Sequence, residues 1–201
     1  GIRPTQDKIS TIKKFPKPAT KRDMKRFIGL ANFYRRFLPG AAKYLSILDE
    51  AARTQKKNDL TPISWSSQLT EAFEEAKMAV ANATLLAHPS NESNLVLHVD
   101  ASDTCVGAAL SQDTTEGLQP LGFYSQKLSL TKQRYSTYDR ELEAIFRGVR
   151  HFKDQLEGRH VVIYTDHKPL TFAMNKLEST TNQRQARQLD LISQYTTDIR
   201  Y

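Results

Sequence analysis

Val161-Val162-Ile163-Tyr164-Thr165-Asp166 is an almost continuous apolar run that ends on a carboxylate. Its β-branched residues predict a strand, and the lack of polar alternation predicts one covered on both faces. A second run, Leu95-Val96-Leu97-His98-Val99-Asp100, ends the same way. A carboxylate closing a hydrophobic strand costs free energy unless something offsets it. Working outward, 94–100, 105–112 and 118–126 read as successive strands joined by short polar turns, Ser102-Asp103 and Thr114-Thr115-Glu116-Gly117. A long helix over about 135–156 precedes the strand at 160–166. Short helices over about 168–175 and 183–194 come next, and 196–201 starts a further strand. A helical crossover into a buried strand implies a mixed α/β fold, one central sheet flanked by helices.

The long helix contributes a third acid. Tyr138, Leu142, Ile145, Val149 and Phe152 form its apolar stripe. Glu141 stands three residues after Tyr138 and four before Ile145, so it lies on that stripe. Glu143, two positions on, is expected outside, in an ordinary surface pair with Arg147. Asp100 and Asp166 both close strands, and in α/β sheets ligands bind beyond that edge. Were the strands neighbours, the two carboxylates would repel unless cations held them. Hard oxygen ligands without a Cys or His cluster select magnesium or manganese, and a pair of such ions suits phosphoryl chemistry. A lone Asp after a strand is usually a turn or cap residue, and it is the three acids together that point to metal. His167, Lys168 and Asp103 are expected as loop and turn residues, and Asp190 and Asp198 outside the site.

The first half has a different texture. Net charge is +7, yet residues 1–60 hold 15 Lys and Arg against 5 Asp and Glu, and residues 61–201 hold 14 against 17. A basic arm on a mildly acidic module suggests a polyanion partner for the arm. The alternative is that these cations merely solvate a helical surface. Residues 1–18, rich in Pro and Lys, read as extended or loop. Thr20 caps a helix in which Met24, Phe27, Ile28, Ala31, Tyr34 and Leu38 form the apolar stripe, ended by Pro39-Gly40. Arg22, Lys25, Arg26 and Arg36 lie largely off the stripe, and Gly29 falls on the basic side, where a phosphate chain could come close. A second helix covers Ala41 to Arg53, residues 54–63 form a loop, and Ser66 or Ser67 caps a third helix to about Asn82, behind the packing residue Trp65. The polar linker at 88–93 sets the expected division, with domains at 1–91 and 92–201. No apolar run approaches the roughly 20 residues of a membrane span. Cys105 is the one cysteine, which excludes an internal disulfide and fits a reducing, intracellular compartment. Its expected role is that of a small buried hydrophobe.

Phe27 to Phe37 (FIGLANFYRRF), with Gly1-Ile2-Arg3-Pro4 and Phe15-Pro16-Lys17-Pro18 before it, closely resembles the end of the polymerase region of gypsy-type LTR retrotransposon reverse transcriptases. Trp65 and Ala72-Phe73-Glu74-Glu75-Ala76-Lys77 match the next block. Val99-Asp100-Ala101-Ser102, Gly107-Ala108-Ala109-Leu110, Tyr124-Ser125, Tyr138 to Ile145 and Thr165 to Leu170 (TDHKPL) resemble the ribonuclease H domain of the same polyproteins. The resemblance implies a small helical thumb that grips template–primer duplex, followed by a ribonuclease H fold. It implies cleavage of the RNA strand of an RNA–DNA hybrid with two magnesium (or manganese) ions, held by Asp100, Glu141 and Asp166. Arg22, Lys25, Arg26 and Arg36 would meet phosphates, while Ser102, Ser125, Gln126 and Lys127 would lie near the hybrid groove. The fingers and palm of the reverse transcriptase are further implied partners, with dimerisation open and no membrane. The expected location is the cytoplasm, in a virus-like particle.

The polymerase Asp pair belongs upstream in the family, so this chain alone is not expected to synthesise DNA. The chain reads as a piece of something longer. The family pattern after Ile199-Arg200-Tyr201 continues to a fourth acidic ligand, so low or absent nuclease activity is expected of the 201 residues alone. Two other readings stay open: a silent or domesticated remnant that binds nucleic acid or partners, and an unrelated two-metal nuclease or phosphatase.

Overall fold

Ile9 and Ile12, three residues apart, give a short helix its buried face in a stretch expected as loop. The computed structural model describes residues 1–174 and 182–201, in two units, Gly1–Leu85 and Leu86–Tyr201. In the first unit, α1 (Gln6–Lys13) packs on α4 (Ser67–Ala81). Between them come α2 (Lys21–Phe33) and α3 (Ala42–Ala51). Thr20 caps α2 by accepting the Asp23 N–H, and Ser66 caps α4 by accepting the Leu69 N–H. Met24, Phe27, Ile28 and Ala31 of α2 are buried, as are Leu69, Phe73, Ala76 and Val80 of α4. Trp65 fixes the entry to α4: its indole N–H donates to the Pro18 carbonyl, and its ring meets Phe73 edge-on. The expected helix through Leu38 stops at Phe33, and a 3-10 turn at Arg35–Phe37 still buries Tyr34, Phe37 and Leu38.

The second unit is a five-stranded sheet. β1 (Leu95–Ala101), β2 (Cys105–Thr114) and β3 (Gly117–Lys127) form an antiparallel meander. After α5 (Leu130–Gln133) and α6 (Thr137–Leu156), β4 (Val161–Tyr164) returns parallel to β1. A 3-10 turn at Lys168–Phe172, α7 (Gln183–Ser193) and the two-residue β5 (Ile199–Arg200) follow. The sheet order is β3-β2-β1-β4-β5. The first short helix expected after Asp166 is thus a 3-10 turn, and its expected end at 175 lies outside the described residues. Position 148 allows α6 its close seat: a Cβ built there would meet the Ala108 Cβ at 3.0 Å and Leu97 at 3.5 Å. The chain divides at Leu85, ahead of the linker. Leu86 is fully buried, and the Gln112 side chain donates to the His88 carbonyl and accepts the Ser90 N–H.

Glu143 corrects the helical-wheel expectation of an outward residue. It is 1% exposed, because α5 and α7 cover that flank of α6. Lys132 and Arg147 both reach its Oε1, and the Gln188 amide donates to its Oε2 at 2.7 Å. These cations and hydrogen bonds offset burial and hold its pKa below the usual glutamate value.

Candidate metal centre

Parallel pairing of β1 with β4 sets Leu95 beside Val161 and His98 beside Tyr164. Asp100 stands two residues further along β1, and Asp166 two residues past the end of β4, which stops at Tyr164 rather than running to 166. Glu141 reaches them from the first turns of α6, whose N-terminus is capped by Ser136 accepting the Asp139 N–H. One carboxylate oxygen from each of Asp100, Glu141 and Asp166 lies within 4.8 Å of the other two. The three acids picked out in the sequence therefore converge. The two Asp are exposed, whereas Glu141 is 2% exposed.

Glu141 is held by groups that face the sheet. The Ala101 N–H donates to its Oε1 at 3.1 Å, and the neighbouring Thr165 side chain favours its ionised form. Its Oε2 is buried with no hydrogen-bond partner. Burial, then the charges of Asp166 and Asp100, push its pKa up to about 7. An orphaned buried oxygen beside two exposed carboxylates fits a hard divalent cation: the donors are all oxygen, with no thiolate or imidazole among the three. In the sequence nothing links Ala101 to Glu141; that hydrogen bond depends on a contact between distant segments.

The surrounding residues tie the centre together. Arg140, next to Glu141, donates to the Asp103 carboxylate at 2.8 Å and to the Tyr135 carbonyl at 2.6 Å, joining the β1–β2 turn to the start of α6. Asp139 accepts from Arg184 and Gln185, anchoring the start of α7. His167 packs edge-on to Tyr138, with ring centroids 5.9 Å apart.

The expected nucleic-acid contacts are divided. Arg22, Lys25 and Arg26 are exposed on α2, and Arg36 is exposed on the 3-10 turn. Gly29 is exposed among them with open space at its Cβ position, and Phe33, one turn on, is 75% exposed. Phe33 has no polar group, so nothing in the sequence marks it as a surface residue. Near the metal centre the Ser102 hydroxyl is engaged in its own turn, where it accepts the Cys105 N–H at 2.9 Å. Gln126 and Lys127 are exposed, whereas Ser125, expected near the groove, is 4% exposed. Alternation along β3 also turns Ser125 and Gln126 to opposite faces of the sheet.

Residues 65–163 match the model of the RNase H-like domain found in reverse transcriptase. The chain is 30% identical over 181 residues to the retrovirus-related Pol polyprotein from transposon opus of Drosophila melanogaster, covering 87% of this chain and 18% of that one. It is 28% identical over 204 residues to the transposon Tf2-3 polyprotein of Schizosaccharomyces pombe, covering 100% of this chain and 15% of the relative. The chain thus spans less than a fifth of the length of these relatives. Among solved structures, the foamy viral protease-reverse transcriptase dRH in complex with double-stranded DNA superposes with a TM-score of 0.80 at 20% identity, over 100% of this chain and 35% of that one. The same viral protein in complex with RNA/DNA hybrid gives 0.71 at 22% identity, over 92% and 25%. At such identities these structures speak for the fold. Residues 65–163 are thus similar in sequence to the RNase H-like domain found in reverse transcriptase, and the mixed five-stranded sheet flanked by helices has the fold of the solved viral protein.

Proposed function

We propose that residues 86–201 hydrolyse the RNA strand of RNA–DNA hybrids with two divalent cations, and that residues 1–85 are the thumb of a gypsy-type reverse transcriptase. The observation that carries the first part is the convergence of Asp100, Glu141 and Asp166, with one oxygen of Glu141 left unpartnered. Asp100, Glu141 and Asp166 would hold the cations. When bound, magnesium or manganese supplies a water of lowered pKa and a Lewis acid for the leaving oxygen. The protein's own part is positioning: the Ala101 N–H fixes the Glu141 carboxylate, and Arg140 fixes the turn beyond Asp100. On α2, the exposed guanidinium and ammonium groups meet phosphates, while Gly29 and the exposed Phe33 allow the helix to lie close along a groove. The relatives' names, which place them in Pol polyproteins, and the solved viral protein's complex with RNA/DNA hybrid support this substrate.

The test is cleavage of an end-labelled RNA–DNA hybrid in magnesium by the chain and by Asp100→Asn. Weak cleavage of the RNA strand by the parent and none by the variant is the expected result. Cleavage that survives Asp100→Asn would refute the site. Hybrid binding without cleavage by either protein, even in a longer chain that supplies a fourth acidic ligand, would favour a catalytically silent nucleic-acid-binding remnant.

A further inference from the structure

We propose that the groove between β3 and the adjoining flank of α6 binds single-stranded nucleic acid, a site separate from the three-carboxylate centre. The groove encloses about 420 Å³. Lys132, Arg147 and Arg150 line it against one anion, Glu143, so positive charge is in excess. Glu143 holds the first two cations in place without cancelling both. Arg147 Nε donates to it at 2.6 Å, and the Arg147 side chain is mostly covered, so the exposed cation of the groove is Arg150, one turn further along α6.

Aromatic rings stand among these charges. Tyr124 of β3 and His151 of α6 stack at 4.6 Å with 29° between their planes, and His151 is exposed. Phe146, half-buried, lies under the Arg150 guanidinium at 5.5 Å. A helix flank that only needed solvation would carry charge without exposed rings. Alternating cations and π-faces are what an unpaired strand uses, phosphates meeting the cations and bases stacking on the rings. A duplex hides its base faces, and the Asp and Glu side chains of an acidic peptide offer carboxylates but no aromatic faces for the rings to stack on.

The test is fluorescence anisotropy of a labelled deoxythymidine strand of about 12 nucleotides, a length within reach of one small site. The full chain is used with Arg22→Glu and Arg26→Glu already in place, so that α2 does not mask the groove. Adding Arg150→Glu and His151→Ala is expected to weaken binding at least about tenfold and to flatten the logarithmic salt slope by about 0.7 for each phosphate that the groove no longer neutralises. Arg150→Lys with His151 intact restores most of the affinity. Both altered residues are exposed, and an unchanged melting temperature shows that the fold survives. Unaltered affinity and slope would overturn the proposal, as would an equal weakening for a blunt duplex. Photocrosslinking of an iodouracil-substituted strand gives a second measurement: adducts on Tyr124, Phe146 or His151 are expected, and adducts confined to residues 1–85 would refute the site.

Discussion

Glu141 is buried with Asp100 and Asp166 against it, and its pKa is raised to about 7. A carboxyl group whose folded pKa exceeds its unfolded value costs stability when it must ionise. The cost is absent below the ordinary glutamate value of 4.5, grows as pH rises through that interval, and is full above about 7. Asp166→Asn removes the larger source of repulsion. In EDTA at neutral pH it is expected to stabilise the protein by about 1 kcal/mol, a rise of about 2–4 °C in Tm. The same variant forfeits most of the Tm increase that magnesium gives the parent. A destabilised variant in EDTA would sink this account of the centre. Asp59 has the opposite sign. Hydrogen bonds from the Thr54 and Thr61 hydroxyls and the Thr61 N–H hold its carboxyl well below the usual range. Its contribution is fully present above the ordinary aspartate value of 3.8 and is lost as pH falls below it. Asp59→Asn is therefore expected to melt below the parent at pH 5–8, with the gap closing towards pH 2; a gap independent of pH would exclude the carboxylate as its source. Glu141 was legible in the sequence because it interrupts an apolar stripe. Glu143 was not, because a helical wheel shows one covered face and says nothing of α5 and α7 closing over another.

At the scale of elements, the position of the acids is a matter of register. The pairing Leu95 with Val161 through His98 with Tyr164 carries both strands to their carboxylates in step, and α6 brings Glu141 to the same end. The strands, their order along the chain and the crossover helix could be read from periodicity, since each has a long apolar pattern. The register could not, because it depends on pairing between segments about sixty residues apart. Nor could α1, whose two isoleucines acquire a buried face only against α4. The seat of α6 on the sheet gives a test at this scale. Gly148 has Ala108, Leu97 and Val99 directly over its Cβ position, the nearest at 3.0 Å and on a central strand that has little room to yield. Gly148→Ala gains helix propensity of about 1 kcal/mol. Overpacking of a well-filled core costs about 1–3 kcal/mol, so the net expectation is destabilisation, read as a lower urea midpoint at unchanged slope. A variant more stable than the parent would show that the helix can shift outward, and metal affinity measured on the same protein would show whether Glu141 moves with it.

Across the whole chain, charge is sorted. Residues 1–60 carry 15 cationic against 5 acidic side chains, and residues 61–201 carry 14 against 17. The basic stretch lies within the helical unit and the three acids in the sheet unit, so one part suits a polyanion's backbone and the other suits divalent cations. Composition made that division legible before any element was known, although composition alone does not say which cations are exposed. The structure puts Arg22, Lys25 and Arg26 at the surface of α2 together, with Arg22 3.9 Å from Asp23, whose charge also interacts with Arg26. If these three meet phosphates, each pairing releases counterions, and log affinity falls with log salt at about 0.9 per phosphate on a duplex. Replacing all three with Gln is then expected to flatten the salt slope for hybrid binding by about 2–3, with the largest drop in affinity at low salt. Binding measured between dilute and near-physiological salt, for hybrid and for duplex DNA of one sequence, separates the outcomes. Equal flattening on both nucleic acids means that α2 meets the backbone without reading sugar or sequence. An unchanged slope on both would mean that these cations only solvate the helix and that the polyanion is held elsewhere.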